Sequence, residues 1–184
     1  KDLFLILNGL NVDDFFLYKN TKMSIKLNWK LAMDTFMELY HIKHLHNKTL
    51  SSSIINDLAI FDSFGQNSRI IGARKSIINN FHSIANENDL NKYLLKILIL
   101  FPNTVLVLHE EHMEMWQVLP LKNENECEVI LTLYSYKETK TTRGLKHWEK
   151  NFQLALNVVK KEDFPLGEKT QEGFYSDKNR KLTF

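Results

Sequence analysis

The chain has 184 residues, with 24 basic and 22 acidic side chains and a formal net charge of +2. This near balance, with Lys and Arg scattered rather than blocked, excludes a polybasic nucleic-acid or membrane surface. No apolar run is long enough to cross a bilayer. Hydrophobic residues make up 43% and aromatics 11%, enough for the core of one domain.

Taken in chain order, Leu3 to Leu7 is apolar but too short for a span, and no small-residue cleavage site follows it. Residues 22–26 alternate like a strand that feeds an amphipathic helix from about Trp29 to about His41. Two short strands, 56–64 and 68–75, flank the turn signal Gly65-Gln66-Asn67. Asn86-Glu87-Asn88-Asp89 reads as a loop. Segments 93–100 and 104–109 flank Phe101-Pro102-Asn103, and 113–119 and 128–136 flank the polar stretch 122–126. Strands at this spacing predict an antiparallel meander. A second helix is expected over 144–160, with Leu145, Trp148, Phe152, Leu156 and Val159 as one apolar stripe. Pro165 disfavours helical geometry at Phe164, so a break beside Asp163 is expected.

The most informative motif lies at the end of the first helix. His41 and His46 have H-x4-H spacing, and Glu38 precedes His41 by three residues. On a straight helix, residues five apart point roughly 140° from each other. The two imidazoles therefore share a metal only if the helix ends or loosens between them, as helices do at functional sites. Two histidines and a carboxylate on one side of a metal form the donor set of non-heme Fe(II) oxygenases. His41, His44 and His46 also fit a solvated cluster at a helix C-terminus, where imidazolium suits the dipole.

The whole string resembles the catalytic-domain signature of Rieske-type ring-hydroxylating oxygenase alpha subunits. The residues that carry the likeness are Asn28-Trp29-Lys30, Asp34-Thr35-Phe36, Glu38, Tyr40-His41 and His46. Thr35 departs from the asparagine of many members. The resemblance implies an α+β helix-grip fold, an antiparallel sheet wrapped around a long C-terminal helix. It also implies a third ligand near the end of the domain, in an acidic pair followed by glutamine. Here that is Glu162-Asp163 with Gln171. Asp163 fits the ligand position, and Glu162 is the alternative one residue away.

The same resemblance implies mononuclear Fe(II) on His41, His46 and Asp163, and a role for Glu38 in electron transfer from a neighbouring subunit. A Rieske [2Fe-2S] cluster needs two cysteines and two histidines. Cys127 is the single cysteine. The expectation is thus a catalytic domain, 1–184, from a longer subunit whose Rieske domain precedes Lys1. The expected partners are O2, a small organic substrate, a reductase drawing on NAD(P)H, and a ferredoxin in some systems. The expected assembly is a homotrimer or alpha-beta hexamer in the cytoplasm, with neither nucleic acid nor membrane as partner. A metal-free helix-grip domain that binds an apolar ligand is the alternative.

Other residues carry less. His109-Glu110-Glu111-His112 is not H-E-x-x-H, and on one continuous strand His109 and His112 would point to opposite faces. His82 and His147 read as surface or boundary residues. Met33, Phe36, Met37, Phe64, Ile97 and Leu106 are candidate substrate-lining positions.

Overall fold

The computed structural model describes residues 2–176. A short helix α1 (Asp2–Asn8) precedes β1 (Phe16–Ile25) and α2 (Trp29–Asp34). Strands β2 (Ile54–Phe64) and β3 (Asn67–Arg74) lead to short helices α3 (Ser76–Asn80) and α4 (Glu87–Asn91). Strands β4 (Leu94–Leu100), β5 (Thr104–Leu108), β6 (His112–Pro120) and β7 (Cys127–Ser135) complete the sheet. Helix α5 (Thr142–Val158) continues through a π-helical turn, Val159–Asp163, into α6 (Phe164–Ser176).

The sheet order is β1-β7-β6-β5-β4-β3-β2, with every neighbour antiparallel. Because β1 and β2 are consecutive in sequence but lie at opposite edges, residues 26–53 must cross the whole sheet. Six inter-strand gaps near 4.8 Å make that journey about 29 Å. The crossing segment and α5 bury their apolar groups on the same face. There Ala32, Met33, Ile42, Trp148, Phe152 and Val159 join Ile97, Val105, Trp116, Val129 and Leu131 in one cluster. The alternate strand positions Leu98, Leu106, Leu108 and Met113 pack on the other face with Ile6, Leu7 and Leu10 from the N-terminal segment. This is the expected α+β helix-grip arrangement.

Several local expectations are corrected. Helix α2 stops at Asp34 rather than near His41. The Thr35 hydroxyl donates to the Ala32 carbonyl at 2.8 Å, and the next amides bond three residues back, Phe36 to Met33 and Met37 to Asp34. That tightening ends the helix and frees Phe36 to stack against Trp116, centroids 5.6 Å apart. Asn86 is an N-cap, not a loop residue: its side chain accepts from the Asp89 amide and starts α4. The chain stays helical through Phe164 and Pro165, and the interruption beside Asp163 is the π-helical turn Val159–Asp163 rather than an end of the helix.

Leu145 also departs from the expected stripe: it is 44% exposed, whereas Phe152 is 1% exposed. Phe152→Ala should therefore cost about 3–5 kcal/mol through the cavity it leaves. Leu145→Ala should cost no more than about 0.5 kcal/mol. Urea unfolding of both variants checks the register of α5 on the sheet.

Candidate metal centre

His41 lies in a 3-10 turn, Tyr40–Lys43, and His46 follows in a bend. The 3-10 turn loosens the backbone between them, as their spacing requires. Glu38 holds this start in two ways. One carboxylate oxygen accepts the His41 amide at 3.0 Å, and the other contacts His41 Nδ1. Gly72 on β3 makes room for Leu39 beside it: a Cβ there would stand 2.7 Å from Leu39 Cδ1.

Asp163 arrives from the far end of the chain. The π-helical turn advances the backbone by an extra residue relative to an α-helix, and so rotates Asp163 inward, 5% exposed. The second half of this helix is anchored to the start of the crossing segment by Gln171. Its Oε1 accepts the Asn28 amide at 2.6 Å, and its Nε2 donates to the Lys26 and Asn125 carbonyls. Gln171 thus ties α6 to the chain that leads to the histidines.

The three groups converge. His46 Nε2 lies 3.1 Å from Asp163 Oδ1, and His41 Nε2 lies 3.6 Å from the same oxygen. The imidazole planes meet at 73°, so both lone pairs can point at one place. Metal–ligand bonds near 2.0–2.2 Å put neighbouring ligand atoms about 3.0–3.4 Å apart, close to these distances. Asp163 Oδ1 is buried and accepts no hydrogen bond among the described residues. Such an oxygen is costly unless a cation faces it. The remaining nitrogens are also engaged: His46 Nδ1 meets Glu162 Oε2 at 2.6 Å, and Thr49 Oγ1 donates to the same oxygen at 3.0 Å. Both histidines therefore present Nε2 to Asp163 and Nδ1 to a glutamate, the outer support typical of metal-bound imidazole. Glu162 lies on the far side of the His46 ring from Asp163. The donor set fits a divalent cation, which His41, His46 and Asp163 could hold.

These residues open onto a cavity of about 630 Å³, within the size range of small-molecule sites. Of the expected lining residues, Phe36 and Ile97 face it. The others do not. Met33 is in the core, Met37 is 43% exposed, Leu106 belongs to the opposite face of the sheet, and Phe64 is not in the wall. His147, read as a surface or boundary residue, is exposed and borders the cavity.

A second group of histidines lies on the cavity wall. His109 and His112 do not sit on one strand. The chain turns at Glu110 and Glu111, with the His109 amide donating to the His112 carbonyl at 2.9 Å. The rings stack at 4.2 Å with planes 5° apart, and both face Glu114 Oε1, at 3.3 and 3.8 Å. Three possible ligand atoms lie together here, but the geometry does not fit a metal. Two parallel stacked rings cannot both hold one ion in their planes. Moreover, Arg74 Nη2 donates to His109 Nδ1 at 3.0 Å, which leaves the proton on Nε2. The visible signal was the alternation His112, Glu114, Trp116 along one face of β6.

The comparisons with known proteins agree with the fold. The sequence matches the family described as ring hydroxylating alpha subunit, catalytic domain, over residues 12–183. The chain therefore belongs to that family. No curated sequence relative matches it. Among solved structures, one similar fold is a quaternary ammonium Rieske monooxygenase described in terms of carnitine oxidation by gut microbiota and inter-subunit electron transfer. It has a TM-score of 0.74 and 18% identity, covering 96% of this chain and 46% of that one. Dicamba monooxygenase bound to dicamba has a TM-score of 0.58 and 11% identity, covering 93% and 54%. An oxygenase–ferredoxin complex of carbazole 1,9a-dioxygenase has a TM-score of 0.54 and 16% identity, covering 94% and 52%. The chain spans less than half the length of the carnitine-oxidising relatives it matches. Among the described residues no helix is long and apolar enough to cross a membrane.

The electrostatics set a pH dependence. Burial alone would push the His46 pKa down, but the Asp163 and Glu162 carboxylates raise it above 6.5 overall. In the metal-free chain, the stability this contributes is fully present below 6.5 and is lost as pH rises through the raised value. A metal requires neutral His46, so loading is favoured in the opposite direction. The increase in Tm on metal loading should therefore grow between about pH 6 and 8. Paired thermal melts check it. His46→Gln should flatten the trend.

Proposed function

We propose that the chain is the catalytic domain of a Rieske-type non-heme Fe(II) oxygenase, which hydroxylates or oxidatively demethylates a small organic substrate. The observation that carries this reading is the convergence of His41, His46 and Asp163 on one point in a ligand-sized cavity. These three residues would hold the iron, whose chemistry when bound is the activation of O2 at positions they leave open.

The chain's own residues supply the rest. Glu162 and Glu38 fix the ring orientation of His46 and His41, so that Nε2 of each points toward Asp163. Ile54, Leu95, Ile97 and Val107 give the cavity apolar walls that hold substrate and exclude water. Electrons must come from elsewhere, since one cysteine cannot build a Rieske cluster. Glu38 is the group suited to receive them: its side chain is 48% exposed while its carboxylate touches His41. A cluster histidine of a neighbouring subunit would bond to it, in a homotrimer or alpha-beta hexamer. A reductase drawing on NAD(P)H, with or without a ferredoxin, would supply that cluster. The inter-subunit transfer and ferredoxin complex named for the relatives support this arrangement.

Anaerobic Fe(II) loading followed by metal analysis tests the centre. One iron per chain is expected. His41→Ala, His46→Ala and Asp163→Ala should each lose it, and His44→Ala should keep it. Glu162→Ala should retain a centre but bind iron about 10–100-fold more weakly, because it orients a ligand rather than being one. Full occupancy in the His41 or His46 variant would overturn the assignment. A wild-type chain that takes up no iron would instead favour a metal-free ligand-binding domain.

Glu38→Gln in the complete oxygenase tests the electron route separately. The near-isosteric amide should keep iron and fold. Product formation should drop steeply, since charge-assisted hydrogen bonds are roughly twice as strong as neutral ones. Single-turnover assays on pre-reduced enzyme check this, and unchanged turnover would remove Glu38 from the route.

A further inference from the structure

The cavity wall formed by the ends of β3 and β6 holds a cation that no carboxylate neutralises directly. Arg74 is half-buried at the end of β3 and lines the cavity. Its backbone amide is fixed to the Tyr93 carbonyl at 2.7 Å. Its guanidinium has five N–H donors, yet among the described residues its side chain makes one hydrogen bond, to His109 Nδ1. No Asp or Glu oxygen of the described residues lies within ion-pair distance of it. Arg69 on the same strand shows the contrast: its Nε and Nη2 both meet Asp62 Oδ2, at 2.8 and 2.5 Å.

The neighbours of Arg74 leave its charge available. Glu110 and Glu114 act on it only through space, and burial lowers its pKa without removing its charge. Glu114 is committed elsewhere. One of its oxygens faces the two stacked imidazoles, and the other accepts from Trp116 Nε1 at 3.1 Å. His109 is held between the guanidinium and Glu114, so it fixes the direction of Arg74 without neutralising it. A half-buried, pre-oriented guanidinium with spare donors on a ligand-sized cavity is a receptor for a planar anion.

We propose that Arg74 is an anion anchor and that the substrate class of this site is small organic acids. The carboxylate pairs with Arg74, and the apolar part lies along Ile97, Val107, Phe36 and Trp116, which line the same cavity. The term substrate rests on the oxygenase reading above. The anchoring itself does not, so it is tested on the metal-free chain.

The probes are hexanoate, its neutral analogue hexanamide, and acetate, measured by calorimetry and by NMR of arginine-labelled protein. Wild type should bind hexanoate about tenfold to a hundredfold more tightly than hexanamide, the range for hydrogen bonds to a charged group. Acetate should bind more weakly than hexanoate, and the Arg74 Nε–H resonance should shift with hexanoate. Arg74→Gln should abolish the acid-over-amide preference while iron uptake stays at the wild-type level. Arg74→Lys should keep part of the preference. Absence of hexanoate binding, equal binding of acid and amide, or a preference that survives in Arg74→Gln would each overturn the anchor. So would acetate binding as tightly as hexanoate, which would mark a simple anion site. If Arg74→Gln does not fold, the wild-type comparison and Arg74→Lys decide. Loss of iron from the His41 variant bears on the oxygenase reading alone.

Discussion

A buried carboxylate set against two imidazoles is the constraint around which this domain is arranged. Asp163 is almost wholly removed from water, and among the described residues its Oδ1 accepts no hydrogen bond. An isolated carboxylate in such a place would cost several kcal/mol. The fold keeps it there by supplying His41 and His46 on one side and the rigid helical path α5–π–α6 on the other. Those histidines lie on the segment that must cross from one sheet edge to the other. The topology therefore brings the two halves of the site to the same face of the sheet. Gln171 then locks the two halves together at a third point, since the backbone of residues 26–28 and helix α6 share its amide.

The cavity holds two clusters of identical composition, each with two histidines and one carboxylate. Composition therefore cannot tell them apart, but ring geometry and tautomer can. At His41 and His46 the planes cross, and each Nδ1 meets a carboxylate, which directs the basic nitrogen inward. At His109 and His112 the planes are parallel, and an arginine donor occupies the basic nitrogen of His109. There the burial that lowers the His112 pKa favours the neutral ring, and a neutral stacked pair is a hydrogen-bonding wall rather than a ligand set.

The sheet was legible in the sequence because alternation and turn chemistry speak locally: Gly65, Pro102 and the polar run 122–126 each fall between strands. The histidine pair was legible because five-residue spacing demands an irregular backbone. What failed were readings that extend a pattern past a local interruption. Apolar periodicity carried α2 too far, because it does not register the Thr35 hydroxyl turning back on Ala32. The tight turn at Glu110-Glu111 was not announced, because it has no Gly or Pro, so nothing in the sequence showed that His109 and His112 would stack across it. Arg74 left no trace at all. A single arginine at a strand end has no period, and its meaning depends on three-dimensional distances: among the described residues no carboxylate comes within ion-pair distance of it, although Glu110 and Glu114 act on it through space.

The two walls of the cavity differ in the kind of backbone that carries them. His41, His46 and Asp163 sit on a 3-10 turn, a bend and a π turn, whereas Arg74, His112, Glu114 and Trp116 sit on strands of a continuous sheet. Strands β3 and β6 are each paired on both sides, so side chains on them have little freedom to shift together. The irregular turns lack such ladders, and side-chain contacts from Glu38, Thr49, Glu162 and Gln171 hold them instead. The proposed metal-binding atoms thus depend on side-chain contacts for their placement, while the opposite wall carries its donors on paired strands. If the proposed metal and organic acid both bind here, regular and irregular backbone divide the two tasks between them.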